Sequence, residues 1–212
     1  LILQTMYDQF ASWSEHTPKA CQKGCSTCCT QNVTISATEA ARILQHIMDH
    51  NKQQWFADLI QQGTTTQPPS MTTNEYAKAC FDQQEVSPPE ISSTDTCPFL
   101  ADNCCTIYEV RPFSCRCFFS EKTCSFGQPA VVPDYLLSGA TVVQQLIEHM
   151  DQNDYWGNMI DVLLSLCTLY EYNDIGNLLP TIGPLDNAKQ NIRWAKPLPG
   201  FLLTEEDYQK VN

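Results

Sequence analysis

The chain has 212 residues and a formal net charge of −12, which is long enough for a core of its own and too acidic to offer a phosphate-binding face. The same charge argues against an anionic membrane surface. Its longest apolar stretch, Val162 to Tyr170, is broken by Ser165 and Thr168 and falls far short of a membrane span. A cytoplasmic protein without nucleic-acid or membrane partners is expected, and nothing in the sequence points to a protein partner.

Residues 1–15 are expected to form a helix with Ile2, Met6, Phe10 and Trp13 on one stripe, ended by Thr17-Pro18. That segment does not resemble a secretory signal. A cysteine-rich loop follows, in which Gly24 frees the backbone beside Cys25. Ser36-Ala37-Thr38-Glu39 is a capping box, so a helix should begin at Ala37 with Ala40, Ile43, Leu44, Ile47 and Met48 facing inward. A second helix carries Trp55, Phe56, Leu59 and Ile60 and stops at Gly63.

From Gly63 to Asn74 the composition is that of a surface connection tolerant of change. A short helix is expected over 75–82, and a loop broken by Pro88-Pro89 after it. Thr106-Ile107-Tyr108 reads as a short strand after turn-forming Asp102-Asn103. Two helical stripes follow: Val142, Val143, Leu146, Ile147 and Met150, then Ile160, Leu163, Leu164, Cys167 and Tyr170. The proline-bearing stretch 180–212 is expected as an extended tail anchored by Trp194 and Phe201 on a domain spanning 1–179. The fold class is therefore mainly α: a single helical domain around an irregular cysteine-rich metal-binding core, with at most short strands.

All the cysteines except Cys80 and Cys167 fall in two segments. One is Cys21-x3-Cys25-x2-Cys28-Cys29; the other holds Cys97, Cys104, Cys105, Cys115, Cys117 and Cys124. Several thiols a few residues apart suit a zinc ion or an iron–sulfur cluster. A disulfide framework is the rival, but it belongs to small secreted domains. Neighbours such as Cys28 and Cys29 do not readily bridge to each other. Both would also crowd a single ion, so a second metal, or a role for only one of them, is easier. Cys80 and Cys167 occupy apolar helical positions and read as small buried hydrophobes.

Arg111 and Arg116 flank Cys115 and could offset the negative charge of metal-bound thiolates. Tyr108 could donate to a thiolate or belong to the strand core. His46 and His50 lie one turn apart but lack a third ligand and sit near a helix C-terminus, where His is favoured anyway. His16 is a surplus donor.

The second segment reads Cys97-Pro-Phe-Leu, then Cys105-x-Ile-Tyr-x-x-Arg-Pro, then Cys115-Arg. With the Cys-x3-Cys-x2-Cys-Cys run upstream, this resembles the YkgJ-type family, described as zinc- or iron-chelating, of which flagellin lysine N-methylase is a relative. The resemblance spans about residues 21–118. It implies a thiolate site using Cys21, Cys25, Cys28, Cys29, Cys97, Cys105 and Cys115, with Tyr108, Arg111 and Arg116 around the cofactor. Cys104, Cys117 and Cys124 do not fall on the pattern; if two four-thiolate sites exist, Cys117 is the candidate eighth ligand. The methylase relative implies a 4Fe-4S cluster and S-adenosylmethionine. The expected function is thus metal binding, foremost an iron–sulfur cluster. The alternatives are a structural zinc module and a methyltransferase-like enzyme, so whether the protein is an enzyme stays open at this point.

Overall fold

The computed structural model describes residues 1–22, 24–60, 65, 67–87, 95–124, 130–179 and 184–200. The chain is mainly helical. Its first helix, α1 (Ile2–Trp13), buries Leu3, Tyr7 and Phe10. The expected stripe is rotated: Ile2 and Trp13 are exposed, because the inward face runs at i, i+4 and i+7 from Leu3. The short strand β1 (Thr34–Ser36) leads directly into α2 (Ala37–Asp49). There the Ser36 N–H donates to Glu39 Oε2 at 3.1 Å, as the capping motif requires. Ala40, Ile43, Leu44 and Ile47 are buried as expected.

α3 (Gln53–Ile60) follows; the expected stop at Gly63 lies outside the described residues. α4 (Thr73–Phe81) begins earlier than expected. Its cap is Thr72, which accepts from the Glu75 N–H while the Glu75 carboxylate accepts from the Thr72 N–H. The described part of the connection before it is not a free surface loop. Thr72 and Asn74 are buried, and the carbonyls of Gln67 and Pro69 accept from Asn158 and Arg193 side chains.

The expected strand at 106–108 is replaced by a hairpin one step upstream, β2 (Leu100–Ala101) against β3 (Cys104–Cys105), and a 3-10 turn at Tyr108–Val110. Asp102 and Asn103 have φ of 49° and 59°, the left-handed pair that a two-residue hairpin loop needs. α5 (Phe113–Cys117) was not anticipated from the sequence. α6 (Asp134–Met150) buries Leu136, Ala140, Ile147 and Glu148, whereas Val142 of the expected stripe is exposed.

β4 (Tyr155–Asn158) and α7 (Met159–Leu166) come next, and every residue of α7 is buried. Apart from Asp161 and Ser165 its residues are apolar, and a helix of that kind belongs inside the fold. After α8 (Asn173–Gly176), the stretch expected as extended chain forms α9 (Pro184–Asn191), which packs on α7, and β5 (Arg193–Trp194). Trp194 is exposed, its ring lying 5.4 Å from that of Tyr155; Phe201 lies outside the described residues. β1, β4 and β5 make an antiparallel sheet in the order β1-β4-β5, with Ile35 opposite Gly157 and Tyr155 opposite Trp194.

Two apolar cores result. The larger gathers side chains from α2, α3, α7, α8 and α9 together with Phe99 and Ile107. The smaller joins Leu3, Tyr7 and Phe10 of α1, Phe113 of α5, Phe119, and Leu136 and Ile147 of α6. Among the described residues no helix is long and apolar enough to cross a membrane.

Candidate metal centre

The two cysteine segments run side by side. Cys97 N–H donates to the Cys29 carbonyl at 2.9 Å, Gln31 N–H to the Asp95 carbonyl at 3.0 Å, and Thr30 bridges Thr96. Residues almost seventy positions apart therefore share one short ladder, with Cys29 and Cys97 on it. Cys105 sits in β3 opposite Leu100. Alternation along the strand puts neighbouring Cys104 on the exposed side, which explains why Cys104 stands off the motif.

Cys115 is placed by α5. The start of that helix is fixed by Glu39, whose Oε1 accepts from the Phe113 N–H and from the Tyr7 hydroxyl, both at 2.7 Å. Ser114 Oγ donates to the Thr34 carbonyl at 2.9 Å. Two residues apart on a helix means nearly opposite faces. Cys115 accordingly joins the thiols, while Cys117 is buried in the smaller core with its Sγ–H toward the Ser114 carbonyl at 3.7 Å. Cys117, the candidate eighth ligand, is thus turned away from the other thiols.

Cys29, Cys97, Cys105 and Cys115 lie within electrostatic reach of one another. Cys29 feels the thiols of Cys97, Cys115 and Cys105, yet a hydrogen bond from the Cys28 thiol holds it below the usual thiol range. The same bond, with burial, pushes Cys28 up. Burial pushes Cys97 up to about 11 and also raises Cys105 and Cys115. Arg111 opposes this, its charge favouring the thiolates of Cys28, Cys105 and Cys115. Its guanidinium lies 3.9 Å from the centre of the Tyr108 ring, and its Nε is buried with no hydrogen-bond partner among the described residues. Its backbone is extended at φ −54°, ψ 143°, as a residue before proline prefers. An unpaired buried donor beside thiols fits sulfur that carries negative charge, which is what a bound metal or cluster supplies.

Arg116 is directed elsewhere. Its Nε donates to the Arg111 carbonyl at 2.7 Å and its Nη2 to the Glu109 carbonyl at 2.6 Å, and it stacks over Tyr7. It therefore shapes the loop that presents Arg111. Tyr108 is exposed and serves as the platform beneath Arg111.

All twelve cysteines are free. Among the described residues, no three His, Cys, Asp or Glu side chains already form an ion-holding group; the thiols are neighbours, not yet a coordination sphere. Cys167 is buried as expected, but Cys80 is exposed, because Ala79 takes the inward position on α4. His46 and His50 stack at 4.0 Å, and His50 Nδ1 lies 2.8 Å from the His46 carbonyl. A polar recess of about 440 Å³ opens beside Cys29, lined also by Ser26, Thr96, Asp102 and Asn103.

Residues 20–132 match the family model CxxCxxCC, described as a putative zinc- or iron-chelating domain. The chain belongs to the CxxCxxCC family. No curated protein and no solved structure matches it. Against the family's name, this CxxCxxCC chain has one additional residue between its first two cysteines. That interval contains Gly24 at φ +88°, a conformation that glycine adopts without strain. The matched region holds both cysteine segments. It also takes in Cys124, which the motif reading could not place.

Proposed function

We propose that the protein binds an iron–sulfur cluster, of the 4Fe-4S kind, with Cys29, Cys97, Cys105 and Cys115 holding it. The observation that carries this reading is the ladder that sets Cys29 beside Cys97, with Cys105 and Cys115 in electrostatic reach and the buried Nε of Arg111 without a partner among the described residues. Such a cluster supplies one-electron chemistry tuned by charge and hydrogen bonds at its sulfurs. This chain contributes four soft donors, a guanidinium that favours their charged form, and walls in which Cys97 and Cys105 pack against the larger core. Free thiols suit a reducing compartment such as the cytoplasm.

Anaerobic purification followed by iron, sulfide and zinc analysis tests the reading. The expected outcome is a brown protein absorbing in the visible with stoichiometric iron and sulfide. A colourless protein with stoichiometric zinc would replace the cluster with a structural zinc site. The recess at Cys29 favours one further reading, an enzyme related to the methylase, in which S-adenosylmethionine would bind beside the centre. Equilibrium binding of S-adenosylmethionine to the loaded protein, lost on filling the recess with Ser26→Trp, would support it.

A further inference from the structure

The chain has four arginines, and three of them gather where the 3-10 turn at Tyr108–Val110 packs on α2. The guanidinium of Arg42 in α2 lies 5.5 Å from the centre of the Tyr7 ring, and that of Arg116 in α5 lies 4.7 Å from the same ring. Arg111 joins them: its carbonyl accepts from Arg116 Nε at 2.7 Å, and its guanidinium stacks on exposed Tyr108. All three side chains are half-buried. Among the described residues none of them forms an ion pair, and Arg42 makes no hydrogen bond. Arg116 uses its Nε and Nη2 on the carbonyls of Arg111 and Glu109, which leaves its Nη1 without a partner there. The nearby carboxylates do not neutralise the group. Glu39, beneath Tyr7, accepts from Ser36, Tyr7 and Phe113; Asp8 accepts from Gln4; Glu109 is exposed and meets Arg116 through its carbonyl only. Guanidinium groups stay charged, and like charges held together repel. Burial, and then the charges of Arg111 and Arg42, hold Arg116 below the ordinary arginine range, with Tyr7 opposing them.

We propose that Arg42, Arg111 and Arg116 form a binding site for a small oxyanion, the phosphate or carboxylate group of a low-molecular-weight ligand. Guanidinium forks pair with such groups through two parallel N–H···O bonds. The chain has twice as many acidic as basic residues, yet these arginines meet one another rather than acids, and an anion supplies the missing counter-charge. The net charge of −12 sets the size of the ligand. A polyanion meets that acidic surface over a wide footprint, whereas a small anion responds chiefly to charges within a Debye length of about 8 Å. The site needs no metal and so goes beyond the cluster reading. Arg111 links the two places, because its charge also favours the thiolates of Cys105 and Cys115.

Calorimetric titration of the full chain, in a buffer free of phosphate and carboxylate, tests the site with inorganic phosphate and, separately, with succinate. Saturable binding of one anion per chain is expected, and the probe that binds more tightly identifies the class of group. Arg42→Gln removes a charge that makes no hydrogen bond among the described residues, so the helical circular-dichroism signal should be kept. Its affinity should fall on the order of 10-fold or more. Arg42→Lys keeps the charge without the fork and should fall between the two. Lys78→Gln, which alters an exposed lysine paired with Asp82 on α4, should bind as wild type does. A wild-type chain that binds neither probe overturns the site. So do Arg42 variants that bind as wild type, or a Lys78→Gln variant weakened as much as they are. Metal content is measured alongside and should be the same in Arg42→Gln as in wild type. Anion binding by a chain that takes up no metal removes the cluster and leaves this site standing; metal uptake without anion binding does the reverse.

Discussion

Arg111 brings a buried donor, without a partner among the described residues, to a group of thiols in which burial raises Cys97, Cys105 and Cys115. Its charge favours the thiolates of Cys28, Cys105 and Cys115, and the Tyr108 ring fixes its plane. Arg111→Met keeps much of the stacking and removes the charge. With a cluster bound, the reduction potential should fall, because a nearby cation stabilises the more negative reduced state. With zinc, affinity should drop on the order of 10–100-fold. A normally folded variant with unchanged potential and affinity would reduce Arg111 to a packing residue. The pattern Arg111-Pro112 beside Cys115 singled this residue out in the sequence. Arg116 looked equivalent there, and only the carbonyls of Glu109 and Arg111 distinguish it. Asp161 gave no such signal. Burial in the wall of α7 raises its carboxyl from 3.8 to about 6, outweighing the amides of Asn191 and Asn158. Because the folded state holds the proton more tightly, its contribution is full below pH 3.8 and is lost as pH rises through about 6. Asp161→Asn should therefore raise stability at pH 7.5 by on the order of 1–3 kcal/mol and flatten the dependence across that window. Melting curves that stay parallel to wild type from pH 4 to 7.5 would count against it.

Carboxylates, more than strands, stitch the elements together. Glu39 ties α2 to α1 and α5, accepting from Ser36, Tyr7 and Phe113. Glu148 accepts from the N–H groups of Asn74 in α4 and of Lys196, and Asp151 accepts from Thr38 at the start of α2. Each of these helix starts has orphan donors that a carboxylate satisfies. Glu39→Gln keeps the shape but turns an amide donor toward at least one N–H or O–H. It should lower the urea midpoint by the equivalent of about 1–3 kcal/mol with the slope unchanged; an unaltered midpoint would show that the three bonds contribute no net stability. The Ser36–Glu39 box was readable because it precedes a strong apolar stripe. The equivalent Thr72-x-x-Glu75 box was equally present in the sequence, but a weaker stripe and the polar run before it concealed the start of α4. The strands were hidden for a different reason. At two to four residues each, none is long enough to show an alternation, and their pairing is set by distant partners.

At the scale of the whole molecule, the helical class followed from periodicity, and the expectation that the two cysteine segments meet came from the resemblance to the YkgJ-type family. The division into two apolar cores did not, since it depends on how α1, α5 and α6 cross rather than on any local pattern. That division bears on what the metal does. The residues of α2, α3, α7 and α9 bury one another in a core against which Cys97 and Cys105 only pack from the side, so the fold does not resemble a zinc finger, which is unfolded without its ion. The segments around 20–31 and 95–117 contain little apolar burial beyond Phe99, Ile107 and Phe113, and their register is fixed by the ladder at Cys29–Cys97. Removing the metal should therefore lower Tm while leaving most of the helical circular-dichroism signal at room temperature. Loss of hydrogen-exchange protection should concentrate in those two segments. Cysteine variants separate the contributions. Cys105→Ser should lose metal and stability together, Cys167→Ser should lose stability alone by placing a hydroxyl in the larger core, and exposed Cys80→Ser should lose neither. Uniform loss of protection across all helices in the metal-free protein would mean that the two cores cannot stand without the thiol centre, and equal metal loss in all three variants would mean that the ligands lie elsewhere.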